Sequence, residues 1–220
     1  MTFAIFKKKR TNDFVAPTGP FMWIDENDVL AVAIHEAAHV LAALEIGCDF
    51  HPVGDGGYCG GWAYGAPPGT SAETVARVSM VALAADLVFA CEPQLILDSW
   101  VYGYVRDIYS NDDRYLDDLH ADFTSFSDEL LQAVAFVICH SHLVLWTAQY
   151  LIARWSKQFE EAPSRNELAA SFAARIVSVE EGDLQTAAGY LALFSGTIGR
   201  LDSLLDERIR RYSRRGKGHA

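Results

Sequence analysis

The chain has few of the residues that build disulfide frameworks or cysteine metal sites. Only four of its 220 residues are cysteine, and no two of them have the C-x-x-C spacing. The basic residues 7–10 are followed by polar residues rather than by the apolar segment of a secretory signal peptide. We therefore expect reduced thiols and a cytoplasmic protein.

Basic residues are also scarce outside the two ends of the chain. Residues 11–207 contain eight Lys and Arg but all 29 Asp and Glu, and the other basic residues lie at 7–10 and 208–217. The large excess of acidic residues over residues 11–207 argues against nucleic-acid binding as the main function. The basic C-terminal residues are expected to be a solvated helix end rather than a contact with RNA or a membrane.

Charged residues are absent from positions 130–152, a run long enough to span a bilayer. Polar residues interrupt this run, among them His140 and His142. A buried core helix is therefore the better prediction, and no transmembrane segment is expected. The two histidines face different sides of this helix and are predicted to lie in the core or in an interface.

Half of the residues are apolar and 21% are charged, as in a folded protein that buries a substantial core. Periodicity and capping residues predict a mainly α fold, with a short helix after Ser164 and longer helices over residues 27–47, 70–91, 93–109, 127–158 and 183–212. The glycine-rich and proline-rich segment 51–69 predicts a small β-strand or hairpin near 57–65. Residues 1–20 read as a flexible N-terminal arm.

The most informative stretch is His35-Glu36-Ala-Ala-His39, an H-E-x-x-H sequence inside the first predicted helix. Residues four apart lie on the same face of a helix, so both imidazoles can bind one metal ion, usually zinc. Glu36 lies about 100° further around the helix and can contact a water molecule at the metal without binding the metal. The stretch predicts two zinc ligands and one catalytic base.

A hydrolytic zinc site needs a third protein ligand, with the fourth position left for water. The metzincin pattern requires Gly at position 42 and His at position 45, where this chain has Ala42 and Glu45. A thermolysin-like glutamate about twenty residues further on is also missing, because no Glu lies between Glu45 and Glu73. The remaining candidates are Asp112, Asp113, Asp86, His51 and His120. Asp112 is the best of them, because it lies in a compact break beside helices, although composition alone favours a solvated acidic turn.

The order of these motifs resembles the peptidase domain of the FtsH family of ATP-dependent zinc metalloproteases, peptidase family M41. In that family H-E-A-G-H precedes a glycine-rich strand, a helix with R-A-A-E-E, and T-G-A-x-N-D-L, whose Asp is the third zinc ligand. The counterparts in this chain lie at residues 35–39, 57–64, 83–89 and 108–113. The resemblance implies a helical, zincin-like fold in which His35, His39 and Asp112 bind Zn²⁺.

This chain departs from the family pattern at several points. Ala38 replaces the usual Gly, Asp86-Leu87 replaces a Glu pair, and the Thr-Gly before the Asn-Asp motif is missing. Nothing matches G-x-x-x-x-G-K-[ST], the phosphate-binding loop of an ATPase module. The resemblance therefore implies a stand-alone peptidase-like domain over residues 21–180, followed by a C-terminal helix with a basic tail over residues 181–220.

The predicted function is that of a zinc-dependent metallo-endopeptidase acting on peptides or unfolded protein, with a homo-oligomer or a separate unfoldase as further partners. One alternative is a catalytically weak zinc-binding domain used for interaction or regulation, and another is a different zincin with another third ligand. Glu36 favours an enzyme, because metal binding alone does not need that carboxylate. Asp86, on an apolar helix, either orients a zinc-bound imidazole or is a buried carboxylate that pairs helices.

Overall fold

The computed structural model of the protein describes residues 29–52, 62–65, 67–90, 92–109, 126–155 and 162–215. These residues are mainly α-helical, as the sequence predicts. The helices are α1 Val29–Glu45, α2 Ala72–Phe89, α3 Pro93–Tyr109, α4 Phe126–Cys139, α5 Ser141–Trp155, α6 Arg165–Phe172, α7 Glu181–Ala192 and α8 Ser195–Arg215. The predicted arm, residues 1–20, lies outside the described residues.

Two short strands form an antiparallel pair. Strand β1 is Asp49–Pro52 and strand β2 is Trp62–Gly65, with Asp49 opposite Gly65. The predicted strand near 57–65 is thus present as β2, and its partner follows directly on α1. Residues 53–61 lie outside the part of the chain that the structure describes.

Helix α1 ends at a glycine, as predicted. Gly47 has φ +73°, and its N–H donates to the carbonyl of Leu44 at 3.2 Å. The N–H of Cys48 donates to the carbonyl of Ala43 at 2.9 Å, which completes a Schellman motif. Arg165 Nε donates to the carbonyl of Cys48 at 2.7 Å and so ties the start of α6 to this turn. The exit of α1 into β1 is thus fixed by backbone hydrogen bonds and by tertiary contacts of Arg165 with Cys48 and Asp49.

Helix α1 lies in the core and packs against α2 and α5. Its contact surface is rich in alanine, and the buried alanines are 0–1% exposed: Ala31, Ala33, Ala37, Ala38, Ala42 and Ala43. The distance between packed helices depends on the side chains at the contact, so small residues allow close approach. This packing brings α2 near enough to α1 for side chains of the two helices to hydrogen-bond.

The predicted single helix over residues 127–158 is wrong, because α4 and α5 meet at a bend of 77°. His140 lies at the bend and is buried, as predicted for a core histidine. Its Nδ1–H donates to the carbonyl of Phe136 at 2.8 Å, and its Nε2 accepts the N–H of Val177 at 3.1 Å. The Phe136 carbonyl also accepts the backbone N–H of His140 at 3.0 Å, so the His140 side chain adds a second hydrogen bond to this carbonyl at the bend. His142, by contrast, is exposed on α5.

Among the described helices, none alone has the length and apolar character needed to cross a membrane. The bent pair of α4 and α5 meets those two requirements only when the two helices are taken together.

The predicted helix over residues 183–212 is interrupted as well. Helices α7 and α8 are separated by a turn at residues 193–194. Both helices contribute to the same hydrophobic core as α1 and α2, through Ala187, Leu191, Ile198, Leu201 and Leu205. The C-terminal helices therefore pack as part of the core that carries the H-E-x-x-H sequence.

Helix α8 supplies a cap for the start of α4. Asp202 Oδ1 accepts the N–H of Phe126 at 2.7 Å and that of Ser127 at 3.1 Å. The helix is predicted to begin at residue 127, but it begins one residue earlier, where the N–H groups of Phe126 and Ser127 donate to Asp202. A carboxylate at this position also interacts favourably with the helix dipole.

Replacing Asp202 tests the importance of this tertiary cap. We expect Asp202→Ala to lower the free energy of unfolding by about 1–2 kcal/mol, because two N–H groups at the start of α4 lose their acceptor. Urea denaturation followed by circular dichroism measures the change. Asp206→Ala, at an exposed position on the same helix, removes the same charge and should have little effect. An equal loss in the two variants would contradict the capping role.

Candidate metal centre

The two histidines of the H-E-x-x-H sequence lie on successive turns of α1 and face each other. Their ring centroids are 5.1 Å apart, and the ring planes are inclined by 79°. Two imidazoles bound to one tetrahedral zinc, with Zn–N distances of about 2.1 Å, have centroids about 5 Å apart. His39 is 4% exposed, and the His35 side chain is 21% exposed. The pair therefore fits a shared metal ion that solvent reaches from the His35 side.

Helix α2 places a carboxylate directly against His35. Asp86 is 2% exposed, and its two carboxylate oxygens lie 3.0 and 3.1 Å from His35 Nδ1. An ionised carboxylate only accepts hydrogen bonds, so Nδ1 carries the proton and donates. In the neutral imidazole, Nε2 of His35 is then the nitrogen that carries the lone pair. Metal-binding histidines in proteins usually have such an arrangement of carboxylate and imidazole.

The position of Asp86 also bears on its candidacy as the third ligand. Its carboxylate is occupied at Nδ1, so in this arrangement it does not reach a metal ion bound at Nε2 of the same ring. The contact thus argues against Asp86 as the third ligand, and it fits both an orienting role and that of a buried carboxylate that pairs α2 with α1. An acidic residue inside an apolar helix was the sequence signal for this contact.

Two opposing effects set the pKa of His35. Burial alone lowers it, but the negative charge of Asp86, the hydrogen bond to Asp86 and the charge of Glu36 raise it, with a net result of about 9. In the metal-free protein the imidazole is therefore protonated at neutral pH. A metal ion at Nε2 would replace that proton, so metal binding should release protons.

Glu36 has the properties of a poised base. Its Oε2 atom is buried and has no hydrogen-bond partner within the described part of the chain. Burial raises the pKa of Glu36 to about 7, with His35 lowering it and Asp86 raising it further. A buried carboxylate oxygen without a partner is costly, and such groups in native proteins call for a functional or solvent explanation. A carboxylate with a pKa near neutrality can both accept and return a proton under physiological conditions.

The predicted third ligand belongs to a part of the chain that the structure does not describe. Asp112, Asp113 and His120 lie outside the described residues, and so does the side chain of His51. Within the described residues, no group of three or more His, Cys, Asp or Glu side chains could hold a metal ion. The structure therefore describes two donor side chains, an orienting carboxylate and a candidate base, and Asp112 stays a prediction.

One hydrogen bond near the site joins residues that are far apart in the sequence. Tyr190 of α7 donates its hydroxyl to the carbonyl of Leu87, the residue after Asp86, at 2.6 Å. The two residues are 103 positions apart. No local pattern links them, and only the packing of α7 brings them together.

Comparison with protein-family models, with curated proteins and with solved structures finds no match to this chain. The geometry and chemistry of the residues themselves are therefore the basis for inferring a function.

The buried carboxylate of Glu36 should make the metal-free protein less stable at high pH. The folded-state pKa of about 7 lies above the ordinary 4.5, so stability is lost as the pH rises through this interval. In the presence of a chelator, Glu36→Gln should be more stable than the wild type at pH 8, by up to about 3 kcal/mol, with little difference near pH 4.5. Urea denaturation at the two pH values measures this.

Glu45→Gln, at the last residue of α1, serves as the control for removal of an acidic side chain from the same helix. A Glu36→Gln protein that is no more stable than the wild type at pH 8 would show that burial of the Glu36 carboxylate does not destabilise the folded state.

Proposed function

We propose that the protein is a zinc-dependent metallo-endopeptidase, similar in its site to the FtsH peptidase domain but without an ATPase module in this chain. The observation that supports this most is the hydrogen bond from His35 to buried Asp86, which leaves Nε2 available beside His39. The orphaned Oε2 of Glu36 is the second support, since a domain that only binds zinc has no need of it.

In this proposal His35, His39 and Asp112 hold the zinc ion. When bound, zinc would make a water molecule more acidic and polarise a peptide carbonyl. Asp86 keeps His35 in the tautomer that presents Nε2. Glu36 accepts a proton from the attacking water and later donates it to the leaving amine, for which its pKa of about 7 is suited.

The proposed substrate class depends on whether this chain can unfold a protein by itself. Peptidases of this kind need an extended backbone, and nothing in this chain matches an ATP-binding loop that would drive unfolding. Cleavage by the chain alone should therefore be confined to peptides and unfolded segments. A separate unfoldase or assembly into a homo-oligomer would be needed to process folded proteins.

Zinc binding tests the metal part of the proposal. We expect one zinc ion per chain in the wild type, none in His39→Ala, and an affinity 10–100 times lower in Asp86→Asn, because His35 loses its charged orienting partner. Competition with a chromophoric chelator measures the affinity. Asp98→Asn, which removes an exposed carboxylate from α3, should bind zinc as the wild type does. Unchanged affinity in Asp86→Asn would contradict the orienting role.

The same assay decides on the third ligand. Asp112→Asn should lose most of its zinc affinity, because a carboxylate ligand is replaced by a neutral amide. Zinc bound at full affinity by Asp112→Asn would rule out this assignment and leave Asp113, His51 and His120 as candidates.

Peptide cleavage tests the catalytic part. Glu36→Gln should bind zinc like the wild type but cleave unfolded casein 10²–10⁴ times more slowly, because only the proton acceptor is lost. A tightly folded protein, added without any unfoldase, is the negative control for substrate class. Zinc binding without cleavage that depends on Glu36 would favour the alternative of an interaction or regulatory domain.

A further inference from the structure

A hydrogen bond from α7 holds the end of α2 next to the metal centre. The hydroxyl of Tyr190 donates to the carbonyl of Leu87 at 2.6 Å, and Leu87 is fully buried. Burial raises the pKa of Tyr190 to about 12, so the hydroxyl stays protonated and remains a donor at any physiological pH. The contact is a permanent link between α7 and α2.

The carbonyl that Tyr190 contacts belongs to the last turn of α2. Helix α2 ends at Phe89, and the last four carbonyls of an α-helix have no donor within the helix. The carbonyl of Asp86 accepts the N–H of Ala90 at 3.1 Å, and that of Leu87 accepts the Tyr190 hydroxyl. The turn that carries Asp86 is thus held in place partly from another helix.

The Tyr190 ring is itself anchored. It packs edge-on against Phe194, with ring centroids 5.3 Å apart, at the turn between α7 and α8. Helix α7 packs against α4, and α4 packs against α2. The hydroxyl therefore comes from a packed part of the core and has little freedom to follow a movement of α2.

From these contacts we propose that Tyr190 is a positioning residue of the metal centre, which acts through Leu87 and Asp86 on His35. The proposal rests on the proposed zinc function. The bonds from Asp86 to His35 are 3.0–3.1 Å long, so a small rotation of the last turn of α2 would lengthen them. Without the Tyr190 hydroxyl, Asp86 orients His35 less well and zinc binds more weakly.

The test is a double-mutant cycle on zinc affinity with Tyr190→Phe and Asp86→Asn. Tyr190→Phe keeps the ring and removes only the hydroxyl. We expect it to lower zinc affinity by roughly 3–10-fold in the wild-type background, a part of the 10–100-fold effect typical of orienting partners. In the Asp86→Asn background it should have almost no further effect, because the residue through which it acts is already altered.

Tyr150→Phe is the matched control. Tyr150 is half-buried on α5 and packs edge-on against Phe172, so its variant reports the general cost of losing a tyrosine hydroxyl. It should leave zinc affinity unchanged in both backgrounds. The absorption spectrum of the Co²⁺-substituted protein gives a second readout, and we expect it to change in Tyr190→Phe but not in Tyr150→Phe.

The outcomes separate this proposal from the one on which it rests. If the wild type binds no zinc, both are overturned. If the wild type binds zinc but Tyr190→Phe leaves the affinity unchanged, or lowers it by the same factor in the Asp86→Asn background, only the positioning role is overturned. A loss of unfolding free energy with unchanged zinc affinity would show that the Tyr190 hydroxyl is merely structural.

Discussion

The hydrogen bond between Asp86 and His35 is the interaction on which the candidate site depends. A buried carboxylate is expensive unless it is paired, and here the imidazole of the neighbouring helix is its partner. The same bond keeps a proton on Nδ1 of His35, so Nε2 is the nitrogen that could bind a metal ion once its own proton is released. It forms because the alanine-rich surface of α1 lets α2 approach closely. The packing of two apolar helices thus determines the chemistry that the site can support.

Glu36, in contrast to Asp86, is an acidic residue whose burial should lower the stability of the folded protein. Its Oε2 atom has no hydrogen-bond partner in the described residues, and burial raises its pKa to about 7. An apolar or neutral residue would suit this position better for stability alone. Local departures of this kind are expected where a protein retains a group for function. The two carboxylates thus differ: both oxygens of Asp86 lie near His35 Nδ1, whereas Oε2 of Glu36 has no hydrogen-bond partner among the described residues.

Features that depend on local periodicity and turn chemistry could be predicted from the sequence. They include helix α1, the turn at Gly47 that terminates it, and the position of His35 and His39 on the same face of the helix, because residue spacing and backbone preference determine them. The bend at His140 could not be predicted, since it involves Val177, 37 positions away. The cap on α4 comes from Asp202, and the end of α2 is held by Tyr190. Such contacts depend on how the helices pack, which no local pattern contains.

The structure places two histidines, the carboxylate next to His35 and a candidate base in the proposed zinc site. Asp112 is predicted to complete the zinc coordination. X-ray absorption at the zinc edge of the purified, zinc-loaded full chain tests this coordination most directly. The account predicts scattering from two imidazole rings with Zn–N distances of about 2.0–2.1 Å, together with carboxylate oxygen and no sulfur. A zinc ion surrounded by solvent oxygen alone, or by cysteine sulfur, would contradict it.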